Sequence, residues 1–229
     1  LLQEQEYRSY KGLSVKDFNA CEKFMREQCF IQHPERGAIL FDLRPSQLEA
    51  LDVCMNDRYV IILKARQLGW STLMAVYSLW LTLFWSDQQI VMLSKGEREA
   101  HALLAKADYA YRRLPEWLKD RAPKRLDRNV GKITFDNGSK IESMPSKEDP
   151  GRSSTASLVV VDEWAFLDNP DEAWASIEPI SDALIDKTRQ LTAQVSQAAD
   201  AAERDPAAVE FQQATENRME NRSPHPRSG

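Results

Sequence analysis

Between Tyr59 and Trp85 the chain passes from the apolar run Tyr59-Val60-Ile61-Ile62-Leu63, through Lys64-Ala65-Arg66-Gln67-Leu68-Gly69-Trp70-Ser71-Thr72, into a long apolar stretch from Leu73 to Trp85. An apolar run before a glycine-containing turn reads as a buried strand, and the apolar stretch behind it reads as a buried helix. Strand, tight loop and helix in this order form a cradle. Backbone N–H groups of the loop converge, and the positive end of the helix macrodipole adds to them, so the turn favours phosphate oxygens. This is the layout of a P-loop. The pattern G-x-x-x-x-G-K-[ST] is matched incompletely: the first glycine is missing, Trp70 stands in the lysine position, and Lys64 offers a cation at the front of the loop.

A second run, Leu158-Val159-Val160-Val161, has the continuous aliphatic character of a parallel strand buried on both faces and ends directly in Asp162-Glu163. Adjacent carboxylates at the end of a buried strand are costly unless they meet a cation or water. In P-loop ATPases the first carboxylate holds Mg²⁺ and the second polarises the attacking water. Both motifs fall at carboxyl ends of strands, where open α/β sheets bind their ligands. The expectation is an α/β fold: an ASCE-type P-loop NTPase with a mostly parallel central sheet flanked by helices. Ser71 and Asp162 are the candidate Mg²⁺ ligands, and Glu163 is the candidate catalytic carboxylate. The nucleotide-binding candidates are Lys64, Ala65, Arg66, Gln67, Leu68, Gly69, Trp70, Ser71 and Thr72.

Two further features suit the same site. Gln47, in Leu43-Arg44-Pro45-Ser46-Gln47, carries an amide able to hydrogen-bond both edges of an adenine, although Pro45 and Ser46 equally describe an ordinary helix start. Arg152, in Gly151-Arg152-Ser153-Ser154, lies shortly before the acidic strand end, where a guanidinium neutralises charge on a transferring phosphoryl group. A surface arginine is the plainer reading of that residue taken alone.

The order Gln47, KARQLGWST, Asp136-Asn137-Gly138-Ser139, GRSSTAS and LVVVDEWAF resembles the ATPase domain of large terminase subunits, the DNA-packaging motors of tailed bacteriophages and related viruses. The resemblance spans roughly residues 30–182 and rests mainly on RQLG-x-[ST]-T and VDE-x-AF. It implies an ATP- and Mg²⁺-dependent translocase that drives double-stranded DNA into a procapsid. The implied partners are a portal protein, a small terminase subunit and further copies of the chain in a ring, all in the host cytoplasm. It also implies that Lys64 replaces the usual P-loop lysine, that Arg66 senses the γ-phosphate, and that Arg152 is an arginine finger reaching a neighbouring subunit.

Composition sets the remaining bounds. The 229 residues suffice for one sizeable core; 42% are hydrophobic and 28% charged, ordinary globular values. A net charge of −5 and a pI near 5.4 argue against a strongly basic freestanding DNA binder. Cys21, Cys29 and Cys54 have no metal or disulfide spacing, which reads as a reducing compartment. No signal peptide is visible, the Leu73–Trp85 run is too short for a bilayer, and no membrane association is expected. Beginning at Leu1 rather than methionine, the chain reads as a fragment.

The chain is expected to divide into an N-terminal helical lid over 1–36, an ATPase domain over 37–183 and a polar tail over 184–229. Within the first, residues 14–30 carry Phe18, Cys21, Phe24 and Met25 at helical spacing. Ile90–Leu93 reads as a strand, Glu97–Leu114 as a helix closed by Pro115, and Ile133–Glu142 as a hairpin turned at Asn137-Gly138. Pro145–Ser157 reads as a loop, and Trp164, Phe166 and Trp174 as core packing. A terminase would continue beyond Ile180 with another buried strand, a Ser/Thr-rich coupling segment and a nuclease domain. The sequence instead turns Ala/Gln/Asp/Glu-rich, with low hydrophobicity after Pro206 that favours disorder. The expectation is therefore a terminase ATPase domain truncated before its nuclease, without DNA cleavage. Loss of the strand beside the Mg²⁺ strand would weaken both fold and coupling. The alternatives are a non-hydrolysing nucleotide-binding or assembly remnant and a helicase-like DNA-dependent ATPase.

Overall fold

A computed structural model of the chain describes residues 2–62, 68–126, 131–145 and 156–164. The N-terminal segment begins with two helices, α1 (Leu2–Lys11) and α2 (Phe18–Gln28). Gly12, at φ +74°, ends α1, and a Cβ there would lie 2.6 Å from Asp17 Oδ2. Asp17 then caps α2, accepting from Ala20 N at 3.1 Å while its other oxygen accepts from Leu13 N at 2.9 Å. The helical spacing read from the sequence holds: Cys21, Phe24 and Met25 are buried. Helix α1 went unforeseen because it is mostly polar, with Tyr10 its one buried residue. A short antiparallel ribbon, β1 (Phe30–His33) with β2 (Gly37–Leu40), follows and was not foreseen either.

Helix α3 (Pro45–Asn56) opens with proline at its first turn, where a missing N–H costs nothing. Helix α4 (Trp70–Phe84) starts after Gly69, which is left-handed at φ +77°. From Ala75 to Phe84 every residue of α4 is buried, Ser78 and Thr82 included. Those two hydroxyls turn back onto helix carbonyls, Met74 O at 2.8 Å and Ser78 O at 3.0 Å. Strand β3 (Gln89–Ser94), helices α5 (Glu97–Arg112) and α6 (Glu116–Arg121), and strands β4 (Lys132–Thr134), β5 (Lys140–Pro145) and β6 (Leu158–Val161) complete the described elements.

The main sheet has the order β4-β5-β3-β6. β3 is parallel to both neighbours, with Ile90 opposite Ile141 and Leu158, and only the β4–β5 pair is antiparallel. The protein is thus mixed α/β with a mostly parallel four-stranded sheet and flanking helices. Strand alternation divides the apolar residues between two faces. Ile90, Met92, Ile141 and Val160 join the large cluster to which α1–α6 contribute, centred on Trp80, Phe24 and Phe84. Val91 and Leu93 face the other way, with Ala156, Met144, Val159 and Val161. Each fully buried aliphatic or aromatic side chain of this kind contributes about 1.5–3 kcal/mol.

One expected strand is absent from the described residues. Residues 59–62 form no ladder; Tyr59 is 50% and Ile61 89% exposed, and Leu63 lies outside the described residues. A parallel strand is stabilised only by a neighbour, and among the described residues β6 pairs with β3 alone. The same arrangement leaves Val160 as the one buried residue of β6. Phe166, Trp174 and the tail over 184–229 lie outside the described residues, while Trp164 is 36% exposed rather than core. The hairpin expected at Asn137-Gly138 is present, but only Gly138 has positive φ, at +81°. Cys21, Cys29 and Cys54 are free thiols. Among the described residues no helix is long and apolar enough to cross a membrane.

Candidate functional site

The carboxyl end of β6 and the first turn of α4 meet. Asp162 N donates to Leu93 O at 3.0 Å, which extends the β3–β6 ladder by one residue and fixes where the side chain emerges. Its Oδ2 accepts a hydrogen bond from Ser71 Oγ at 2.5 Å, joining residues 91 apart in sequence. A hydroxyl donating to a carboxylate makes a charge-assisted hydrogen bond. The other carboxylate oxygen, Oδ1, accepts from Glu163 N at 3.1 Å.

Glu163 itself sits at φ +57°, one of two non-glycine residues with positive φ among the described residues. Left-handed backbone is unfavourable for a residue with a Cβ and recurs at functional sites. Here it turns the chain sharply after the strand, so that two consecutive carboxylates serve different neighbours. Glu163 Oε2 lies 3.7 Å from Lys95 Nζ, both side chains being partly exposed. Lys95 is the first residue after β3 and was not singled out from sequence. The available signal was positional: a cation at the carboxyl end of the strand next to the acidic one.

On the other side, α4 begins as a helix N-terminus should. Leu73 N donates to Gly69 O at 3.0 Å as the first helical bond. Gly69 is required both by its φ of +77° and by contact, since a Cβ there would lie 2.9 Å from Gln47 Nε2. Gln47 is buried at 3% exposure. Its Oε1 accepts from Arg44 N at 3.0 Å and its Nε2 donates to Leu68 O at 3.1 Å. The amide offered by the sequence to an adenine thus ties α3 to the loop. Trp70 packs against the main core, and its buried Nε1 has no hydrogen-bond partner among the described residues. Thr72 follows Ser71 in the first helical turn and is half-buried. Lys64, Ala65, Arg66, Gln67 and Arg152 lie outside the described residues.

The geometry therefore brings together Gln47, Leu68, Gly69, Ser71, Asp162 and Glu163, and adds Lys95. Ser71 Oγ and Asp162 Oδ2 are hard oxygen donors already in contact, a pair suited to a small divalent cation. The helix N-terminus beside them suits an anion. No protein-family model matches the chain.

Proposed function

We propose that this chain is the ATP-hydrolysing motor domain of a viral large terminase, acting on double-stranded DNA during packaging into a procapsid. The observation that carries the reading is the 2.5 Å bond between Ser71 and Asp162. The two residues chosen from separate motifs as Mg²⁺ ligands are in direct contact, at a helix N-terminus that begins with a left-handed glycine. Mg²⁺, when bound, neutralises charge on the β/γ-phosphates and orders them. Ser71 and Asp162 would hold it. Lys64 and the loop to Thr72 would grip the phosphates, and Arg66 would contact the γ-phosphate. Glu163 would orient the water and accept its proton, and Arg152 would act on the nucleotide of a neighbouring copy in a ring. Portal protein and small terminase subunit are the proposed partners, in the host cytoplasm.

A second reading, a nucleotide-binding or assembly remnant without turnover, is favoured by one observation: residues 59–62 form no strand, and Ile61 is 89% exposed. A strand leading into a P-loop positions it best when laddered into the sheet. The deciding experiment follows nucleotide binding and phosphate release by the purified chain, alone and with portal components. In the motor reading Asp162→Asn loses Mg²⁺-dependent binding, while Glu163→Gln keeps binding and loses turnover, because an amide cannot accept the proton. Binding with no turnover under any condition selects the remnant. Turnover largely retained in Glu163→Gln sinks the site assignment, and equal affinity in wild type and Lys64→Ala removes the lysine from it.

A further inference from the structure

The turn Asp136-Asn137-Gly138-Ser139 does more than reverse the chain between β4 and β5. Asn137 Nδ2 donates to Thr82 O at 3.0 Å and to Trp85 O at 3.1 Å, and Ser139 Oγ donates to Trp85 O at 2.8 Å. Thr82 and Trp85 stand at the carboxyl end of α4, whose last carbonyls have no partner inside the helix. The hairpin supplies the cap. Two more bonds seat it: Asp87 N on Asn137 O at 3.1 Å, and Gln88 N on Ser139 Oγ at 3.0 Å.

This seat dictates the residue after Asn137. Gly138 is left-handed, and a Cβ on it would lie 2.3 Å from Asp87 Oδ1. Only glycine fits. Glycine is also the successor that least hinders attack on an asparagine side chain. The backbone nitrogen of Gly138, once deprotonated, reaches Asn137 Cγ; the N–Cγ bond forms, the Cγ–Nδ2 bond breaks and ammonia leaves. Water then opens the cyclic imide at either carbonyl, giving aspartate or isoaspartate. In the fold, both reactants are engaged. Gly138 N donates to Phe135 O at 3.3 Å, while the Asn137 amide holds two carbonyls and accepts from Ser139 N at 3.1 Å.

We propose that Asn137-Gly138 is a spontaneous deamidation site, closed while the hairpin is seated on α4 and open once it lifts. The modification is self-locking. Aspartate at 137 loses both donors and sets a negative charge against carbonyls at the negative end of the helix. Isoaspartate lengthens the main chain by one carbon within a turn that has no slack. Either product resists reseating, so a transient opening becomes a permanent change.

The test incubates the full chain in mildly alkaline buffer, folded and in urea, and follows the peptide containing residue 137 by mass spectrometry, with isoaspartate scored separately. Deamidation should be at least roughly tenfold slower in the folded chain, since it proceeds only through the small open population. Ser139→Ala, which removes two seating bonds, should raise the folded rate while leaving the rate in urea unchanged. Asn137→Asp should lower the urea midpoint of the otherwise unmodified chain. Equal rates folded and in urea would overturn the proposal. So would an unchanged midpoint in Asn137→Asp, which needs no deamidation to be measured.

Discussion

Removing the Ser71 hydroxyl offers the sharpest test of the site, because its bond to Asp162 joins the first turn of α4 to the end of β6. In Ser71→Ala the Asp162 carboxylate loses its 2.5 Å donor but keeps the bond from Glu163 N at 3.1 Å. A hydrogen bond to a charged group is worth about 1.5–3 kcal/mol. Both residues are only half-buried, so water replaces part of the interaction. The expected loss therefore lies near the lower end, about 1–1.5 kcal/mol. With a urea dependence of about 2–3 kcal/mol per molar for a chain of this size, the midpoint should fall by roughly 0.5 M. Ser71→Thr, which keeps a hydroxyl, should recover most of it. A double-mutant cycle with Asp162→Ala separates the pair from its surroundings and should return a coupling of about 1 kcal/mol, above the 0.3–0.5 kcal/mol scatter of independent sites. Additive effects would refute the contact as an energetic link between α4 and β6. Nucleotide affinity measured with and without Mg²⁺ on the same variants extends the test. A Mg²⁺ effect undiminished in Ser71→Ala would remove Ser71 from the metal site whatever its role in stability.

Three further outcomes follow from buried groups. Gln47→Ala breaks the bonds to Arg44 N and Leu68 O at 3.0 and 3.1 Å. About 2 kcal/mol of destabilisation is expected, with faster amide exchange at residues 68–72 by mass spectrometry, whereas a side chain reserved for adenine would leave exchange unaltered without nucleotide. Trp80 is fully buried and its Nε1 donates to Tyr10 O at 2.7 Å. Trp80→Phe combines a cavity with an unpaired carbonyl, so about 3 kcal/mol is expected in urea unfolding. The pH dependence is set by acids held neutral. Burial pushes the Cys21 and Cys29 thiols well above their ordinary range, and burial with the Glu27 and Glu6 carboxylates pushes the Tyr10 phenol up. Groups with raised folded pKa values stabilise fully below their unfolded values and lose that contribution as pH rises. Stability should therefore decline above roughly pH 8.5 by about 1.4 kcal/mol per pH unit per buried thiol, steepening near pH 10 as unfolded tyrosine ionises. Cys21→Ala with Cys29→Ala should flatten the first phase in urea titrations. A midpoint that rises between pH 8 and 10 would contradict the thiol burial described above.

Much of the framework is legible in the chain because it depends on neighbours within a turn or two. The spacing of Cys21, Phe24 and Met25, the apolar block after Gly69, the strand at Ile90–Leu93 and the Asn-Gly hairpin are each set by local periodicity or by one backbone requirement, and each is present. Helix α1 escapes this kind of reading because its packing runs through few apolar residues, chiefly Tyr10, which carries the carbonyl for Trp80. The run at Tyr59–Leu63 shows the opposite failure. Its composition reads as a buried strand, yet residues 59–62 pair with no described strand, because a ladder depends on tertiary alignment that composition alone does not set. Asp162 and Glu163 announce themselves by type and position. Their division of labour does not, because it arises from the φ of +57° at Glu163 and from Lys95, brought alongside by the β3–β6 register. Gln47 and Asn137 carry the same lesson: an amide advertises donors and acceptors in the sequence, but whether it faces a ligand, a loop carbonyl or the end of a helix depends on which distant backbone the fold sets within 3 Å of it.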